Sequence, residues 1–494
     1  MYTFSSKLRT FSFILMLLGA LGIGYGFLTA PKTIQDVEAI LKAEEGHHEG
    51  GHEATASHHE TEAVSHETIT NHEEPAKTTV DTVAVKAEVV STTNDSITET
   101  VTANHEEHAS NHTEVTYDEA THHAEHKEHL EHVLHQLQNK PWAAFYIACI
   151  FFMLISLGVL AFYGIQQVAQ AGWSPVLFRV MQGITAYLPV GSVIFFVLLI
   201  LCGLHFNHLF VWMDKDVVAH DKLIQAKSGY LNFPFWIIRA AVFLTGWNIY
   251  RYFSRKNCLA QDESTDNSNY KKNFNISAMF LVFFIVTESI MSWDWIMSVD
   301  PHWFSTLFGW YVFASFFVSG ITTICMVTLY LKSKGYLENV NSSHIHDLAK
   351  FMFGISVFWT YLWFSQFMLI WYANIPEEVT YFVTRIELYN LPFFGAVVMN
   401  FVFPILILIN TDFKRVSWIL VMAGTVILLG HYVDFFNMIM PATVGDRWFI
   451  GISEIASVSF FLGLFIFVVF TALTKAPLVP KRNPFIEESK HFHY

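Results

Sequence analysis

Seven ionisable side chains sit inside the long apolar runs of this 494-residue chain: His205, Arg239, Glu288, Asp294, His431, Asp434 and Glu454. Such a group costs about 2.5–3.5 kcal/mol at the centre of a membrane helix, so each asks for a reason. Glu288 lies in "FIVTESIMSWDW" among the hydroxyls of Thr287, Ser289 and Ser292, and Ser292 stands one helical turn away on the same face. A buried carboxyl with hydroxyl neighbours can hold and pass a proton; it can also serve as an ion-pair partner, for instance of Arg239. His431 and Asp434 share a face at i, i+3, where a carboxylate can orient an imidazole that takes a proton from a hydroxyl, or simply pack against it. A b-type haem would need paired, buried histidines on facing helices, and His205 with His431 is the pair available at one level. The aromatic run "FWTYLWFSQFMLIWY", with Thr360, Tyr361, Ser365 and Gln366, is equally suited to packing and to a flat apolar ligand.

The elements that must position these groups are apolar stretches of about 20 residues, the length that crosses about 30 Å of hydrocarbon as a helix. Ten are expected: Phe11–Leu28, Trp142–Gly164, Tyr187–Phe206, Phe233–Tyr250, Phe274–Met297, Phe304–Leu331, Leu348–Tyr372, Leu391–Ile409, Val416–Phe436 and Phe449–Leu473. With 53% hydrophobic and only 15% charged residues, the composition is that of an all-α polytopic membrane protein. One set of short loops holds only Lys215, Lys222, Lys227, Arg385 and Arg447, and the alternate set is far richer in lysine and arginine. The charge rule places both termini in the cytoplasm and an even number of spans between them. On this topology the ionisable groups crowd toward the outer half of the bilayer, with Glu288 near its middle. The first apolar run follows Lys7 and Arg9 like a signal peptide, but Gly19, Gly22, Gly24 and Gly26 give it the flat packing face of a retained helix.

Residues 1–30 thus form a first span, 31–140 a polar insert, 141–475 a nine-helix membrane domain and 476–494 a cytoplasmic tail. The insert is rich in His, Glu and Thr, poor in large apolar residues, and expected to be largely disordered and periplasmic. Its second histidine cluster looks helical: His122, His126, His129, His132 and His135 recur at spacings of three or four, which can bind zinc or copper weakly. A solvated acidic linker is the plainer reading. Cys149, Cys202, Cys258 and Cys325 are scattered singly, with no spacing that holds a c-type haem or an iron–sulfur cluster.

One segment is unusually specific. Between the fifth and sixth runs stands "TESIMSWDWIMSVDPHWFSTLFG", with Trp293, Asp294, Trp295, Asp300, His302 and Trp303 and no lysine or arginine. The tryptophans fit an interfacial aromatic belt, and Asp300 followed by Pro301 fits an N-cap and first helical position. Asp294 is left over as the candidate outer end of a proton path.

That segment resembles the signature of a large integral membrane subunit of alternative complex III, the bacterial quinol:cytochrome c oxidoreductase unrelated to the cytochrome bc complex. The match is to the second of its two polytopic subunits, the quinone-binding subunit labelled ActF. The resemblance implies two four-helix bundles like those of polysulfide-reductase-type membrane anchors, flanked by extra helices, in the bacterial inner membrane. It implies a complex with a sister polytopic quinol-binding subunit, an iron–sulfur subunit, multihaem and monohaem cytochromes c and small membrane subunits, with lipid around them and no nucleic acid. Haem and iron–sulfur clusters are then expected only in the partners, and a quinone or quinol is the cofactor that could meet this chain. Quinol oxidation is attributed mainly to the sister subunit, so support and proton conduction are expected here. A proton-coupled secondary transporter and a pure scaffold are the alternatives; the chain has no internal repeat of the kind transporters carry.

Overall fold

A computed structural model describes residues 2–42 and 113–493. Its regular structure among these residues is helical, with no strand. This suits long apolar segments, because a helix satisfies its backbone hydrogen bonds within itself and needs no water to do so.

Among the described residues the ten long helices are α1 (Ser6–Thr29), α2 (Thr113–Val168), α3 (Tyr187–Gly203), α4 (Phe233–Gln261), α5 (Ser268–Trp295), α6 (Phe308–Ser333), α7 (Ser342–Ala373), α8 (Asn390–Leu408), α9 (Ser417–Val444) and α10 (Ile452–Leu473). Nine of them, among the described residues, are long and apolar enough to cross a membrane, α3 together with the short helical turns that precede it from Pro175; α4 is the exception. It has the length, but Arg239, Asn248, Arg251, Arg255 and Lys256 dilute its apolar run. The architecture fits a multi-pass membrane protein. Large apolar side chains face outward in keeping with this, for example Leu21, Leu369 and Trp418.

The chain divides into two compact units, one made of Met1–Thr33 with His132–Tyr494 and the other of Ile34–Glu131. The smaller is helical over 34–42 and again from Thr113. Most of the polar insert lies outside the described residues. The expectation of helix around its second histidine cluster agrees with α2, which runs unbroken past Pro141.

In the larger unit α2 is the central helix. Its Gly158 abuts the backbone of Phe316 on α6, Gly320 of α6 fits against Val159, Phe151 packs on Tyr432 and Phe435 of α9, and Phe152 packs on Phe465 of α10. On another side Tyr146 donates to the Trp295 carbonyl at 2.7 Å and Met153 meets Gly191 of α3. Helices α3, α4 and α5 pack in sequence order; α6 packs on α5, α7 and α9, and α8 closes against α9. The helix α8 contains a π-helical turn, Val398–Val402, just before Pro404. Proline has no amide hydrogen and crowds the carbonyl four residues back, and a widened turn relieves both.

The helices α1 and α10 form a tight pair through small residues. A Cβ on Gly19 would stand 2.5 Å from the Phe460 nitrogen, one on Gly22 would meet the Ala456 methyl, and one on Gly26 would meet Ser453; Gly24 has open space. Three of the four glycines singled out in the sequence therefore form the packing face. Gly19→Leu is expected to push α1 off α10 and lower stability by about 1–3 kcal/mol, whereas Gly24→Leu should be nearly neutral. Thermal aggregation of the two variants in detergent distinguishes them.

Candidate functional site

The structure sorts the ionisable residues into separate local sites. The first joins α4, α5 and the loop before α4. Arg239 donates from Nε to Asp294 Oδ2 at 2.6 Å and from Nη2 to Oδ1 at 2.9 Å, a two-pronged pair in which Asp294 is fully buried. The hydroxyl of Tyr230 donates to the same Oδ1 at 2.8 Å, while Trp236 Nε1 and Ser298 Oγ donate to the Asp294 carbonyl at 2.8 and 2.6 Å. The guanidinium also lies over the Tyr230 and Phe235 rings at 4.0 and 4.3 Å. Three donors thus hold the Asp294 carboxylate in a clamp that locks the end of α5 onto α4, a structural role rather than the open end of a proton path that the sequence suggests.

Glu288 is paired with no cation among the described residues, so the ion pair with Arg239 does not form. Its oxygens accept from Ser289 at 3.1 Å and Ser292 at 3.3 Å. The Ser292 hydroxyl also reaches the Glu288 carbonyl, and no hydrogen bond links it to Asp294. The geometry makes no Glu288–Ser292–Asp294 relay.

The second site is the most completely built. On α9, His431 and Asp434 are both buried, with Nδ1 to Oδ2 at 3.8 Å. Between them stands Ser315 of α6, its Oγ 2.9 Å from His431 Nδ1 and 2.8 Å from Asp434 Oδ2. Trp359 of α7 donates from Nε1 to the same Oδ2 at 2.9 Å, and Tyr311 of α6 donates to Oδ1. Trp359 also meets the His431 ring edge to face at 5.4 Å. Because Ser315 gives its hydrogen to Asp434, it accepts from His431 Nδ1–H; a neutral imidazole then presents a bare Nε2. That Nε2 is buried and has no protein partner.

Other polar atoms on α6 and α7, and on the adjoining α8, are likewise buried and unpartnered: Thr322 Oγ1 on α6, Ser356 Oγ on α7 and both side-chain polar atoms of Asn400 on α8. Asn400 lies in the π turn, directly against Gly430, the neighbour of His431. Buried polar groups in proteins are nearly always hydrogen-bonded, so such a set calls for water or a ligand.

The third site is the hairpin end, where Asp221 accepts from the Leu223 and Ile224 amides at 2.8 and 3.1 Å and contacts His302 Nε2 at 2.5 Å. Lys227 donates to the Pro301 carbonyl at 2.5 Å. Asp300 and Pro301 do not begin a helix, for α6 starts at Phe308. Asp300 accepts from the His302 amide through its side chain and from the Trp303 amide through its carbonyl, which is a turn with proline second. Aspartate then proline is favoured by such turns as much as by helix starts. The tryptophans are not a surface belt either: Trp295 is fully buried among Phe195, Phe243 and Trp247, and Trp303 stacks on Tyr381 at 4.0 Å, while Trp293 is half-buried.

The Ile224 amide and the His302 side chain hold the Asp221 carboxyl below its ordinary 3.8. A depressed carboxyl contributes stability that is fully present above the ordinary value and lost as pH falls through the lowered one. Amide exchange at Leu223 and Ile224, corrected for intrinsic rates, should therefore be slow at pH 6 and faster at pH 3. Asp221→Ala should be fast at both, with Asp221→Asn retaining most of the cap.

The remaining candidates stand apart. His205 is exposed at φ 60°, where its amide bonds the Cys202 carbonyl and the Phe206 amide that of Leu201; it terminates α3 and is not the buried histidine that a haem pair with His431 requires. Glu454 caps α10 by accepting the Gly451 amide at 2.8 Å. Among the described residues no group of three His, Cys, Asp or Glu side chains could hold a metal. His126, His129, His132 and His135 are exposed, and the side chain of His122 lies outside the described residues.

In comparisons with known proteins, no family model matches the chain and no curated protein is significantly similar to it. The site must speak for itself. Sequence reasoning missed Tyr311, Ser315 and Trp359, which complete the His431–Asp434 cluster, and Tyr230 and Trp236, which complete the Arg239–Asp294 clamp. A usable signal existed for α6: Tyr311, Ser315, Ser319 and Thr323 recur every four residues as a stripe of hydroxyls. Arg385 was also missed; it lies over Tyr381 at 3.3 Å and donates to the Asn437 carbonyl at 3.0 Å. Tyr381 thus links the hairpin to α9: one side of its ring stacks on Trp303, and Arg385, which lies over it, bonds the α9 backbone.

Proposed function

We propose that this chain is a non-haem integral membrane subunit of a respiratory quinol:cytochrome c oxidoreductase of the alternative complex III type, and that it conducts protons through the His431–Asp434 cluster. The observation that carries the proton role is the bare, buried Nε2 of His431 at the head of a continuous hydrogen-bonded chain. A proton added at Nε2 releases the one on Nδ1 to Ser315 Oγ, whose own hydrogen passes to Asp434 Oδ2. No atom moves further than a hydrogen-bond length, and the chain resets once Asp434 gives up its proton, the Ser315 hydroxyl turns back to the carboxylate and the imidazole returns to its Nδ1–H tautomer. Tyr381 and Arg385 line the way from Asp434 toward Asp300 and the hairpin, which the charge rule places on the periplasmic side.

The assignment to a quinol-oxidising complex rests on the segment from Thr287 to Gly309. The packing of α2–α5 beside α6–α9, with α1 and α10 paired outside, supports two four-helix bundles of the polysulfide-reductase-anchor kind with ten spans. In this reading Asp294 and Arg239 are structural, and haem and clusters belong to partner subunits. The first test is mild-detergent purification of the tagged chain from its native membrane. Haem-containing and iron–sulfur partners should co-purify, visible as reducible cytochrome bands; a chain that purifies alone and colourless sinks the complex and points to a transporter.

A further inference from the structure

Between α3 and α4 runs an open groove of about 600 Å³. Val193, Ile249 and Tyr252 on its walls are each more than half exposed, and its polar lining consists of Ser192, Thr245, Asn248 and Tyr252, with no carboxylate, histidine or lysine among the lining residues. It thus offers no acid or base for proton-coupled chemistry. One turn beyond Asn248 on α4 comes Arg251, and one turn further Arg255, so Leu244, Asn248, Arg251 and Arg255 follow one another at helical spacing along one face. Among the described residues neither arginine has a carboxylate at ion-pair distance: the adjacent Asp262 is taken by Arg179 at 2.6 Å. Arg251 Nε is buried and has no hydrogen-bond partner.

Two guanidinium groups without a carboxylate partner, one and two turns along α4 from the groove's Asn248, call for an anion with an apolar tail. From Ala241, at one end of the groove, to Arg251 the helix rises about 15 Å. That is half of the hydrocarbon thickness of about 30 Å, the reach of an acyl chain in one leaflet. We propose that the groove holds an anionic phospholipid, with one acyl chain along α3 and α4 and the phosphate on Arg251 and Arg255. Guanidinium groups suit this role because their paired N–H donors match phosphate oxygens. Basic pockets between membrane helices recognise anionic headgroups in the same way. The site is independent of the proton cluster and does not depend on the assignment to a respiratory complex.

Native mass spectrometry of the full chain in mild detergent, titrated with phosphatidylglycerol or phosphatidylcholine, tests it. Phosphatidylglycerol should be retained roughly tenfold more than phosphatidylcholine, the ratio expected for one charge-assisted contact. The double substitution Arg251→Gln with Arg255→Gln should erase that preference, the Arg251→Lys, Arg255→Lys pair should keep part of it, and Val193→Trp should lower retention of both lipids by filling the groove. Elution profile and circular dichroism identify any variant that fails to fold, and the lysine pair then carries the comparison. Equal retention of the two lipids by the parent chain, an undiminished preference in the glutamine pair, or a quinone or protein helix found in the groove overturns the proposal.

Discussion

Replacing Asp434 by Asn is expected to slow proton release on the order of 10²-fold in vesicles holding the assembled complex, the lower range for loss of a positioned proton acceptor. The amide keeps the shape of the carboxyl and can still accept from Trp359 Nε1, which donates at 2.9 Å in the parent, so folding should survive. It cannot take the proton that Ser315 would hand on. Cytochrome reduction by quinol, measured in the same vesicles with an uncoupler, should fall far less, because electrons travel in the partner subunits. Ser315→Ala breaks the link between His431 and Asp434 without removing either and should show the same selective loss, smaller if a water takes the place of the hydroxyl. Proton release that stays normal in both variants leaves the cluster as packing and makes the chain a scaffold.

The largest stability effect belongs to Arg239 and Asp294. Arg239→Leu leaves a fully buried carboxylate with only Tyr230 for its charge, and removal of one partner from such a pair typically costs about 3–5 kcal/mol. Arg239→Leu should therefore accumulate poorly and lose its folded fraction on mild heating, followed by size-exclusion chromatography in detergent. Asp294→Leu should do likewise, since it strands the guanidinium. The double substitution to leucine should recover much of the loss, because an apolar pair of similar volume owes no desolvation. Tyr230→Phe removes one hydrogen bond to a charged group and should cost only about 1.5–3 kcal/mol. A single variant as stable as the parent would mean that the pair contributes nothing, and that Asp294 is free for another role.

The contrast between these two sites explains what could be read early and what could not. His431 and Asp434 were legible as a pair because they are three residues apart on one helix, where spacing alone places them together. Asp294 and Arg239 are 55 positions apart, and the same composition admitted a pair of Arg239 with Glu288 instead. Which acid the arginine reaches depends on the rotation of α4 against α5, and the sequence of either helix leaves that open. The hairpin failed for a different reason: Asp300–Pro301 carries the same local signature for a helix start and for a turn. The tryptophans beside it fit an interfacial belt by position alone, whereas Trp295 has its aromatic partners on α3 and α4.

By itself the sequence determined the helical class and the approximate limits of most of the long helices, the glycine face of α1 and the rarity of charge within the apolar runs; of the ten spans expected, nine are long and apolar enough among the described residues. These are properties of short windows, set by the length of a helix that spans hydrocarbon and by its 3.6-residue period. Only the tertiary structure decided which polar groups meet. It assigned Asp294 to Arg239, left Glu288 with its own serines, exposed His205, and brought Tyr311, Ser315 and Trp359 from two further helices around Asp434. The physical reason is that lipid is as apolar as leucine, so helix association is set by close packing and interhelical hydrogen bonds. Those depend on pairs of surfaces, and no single stretch of sequence contains both members.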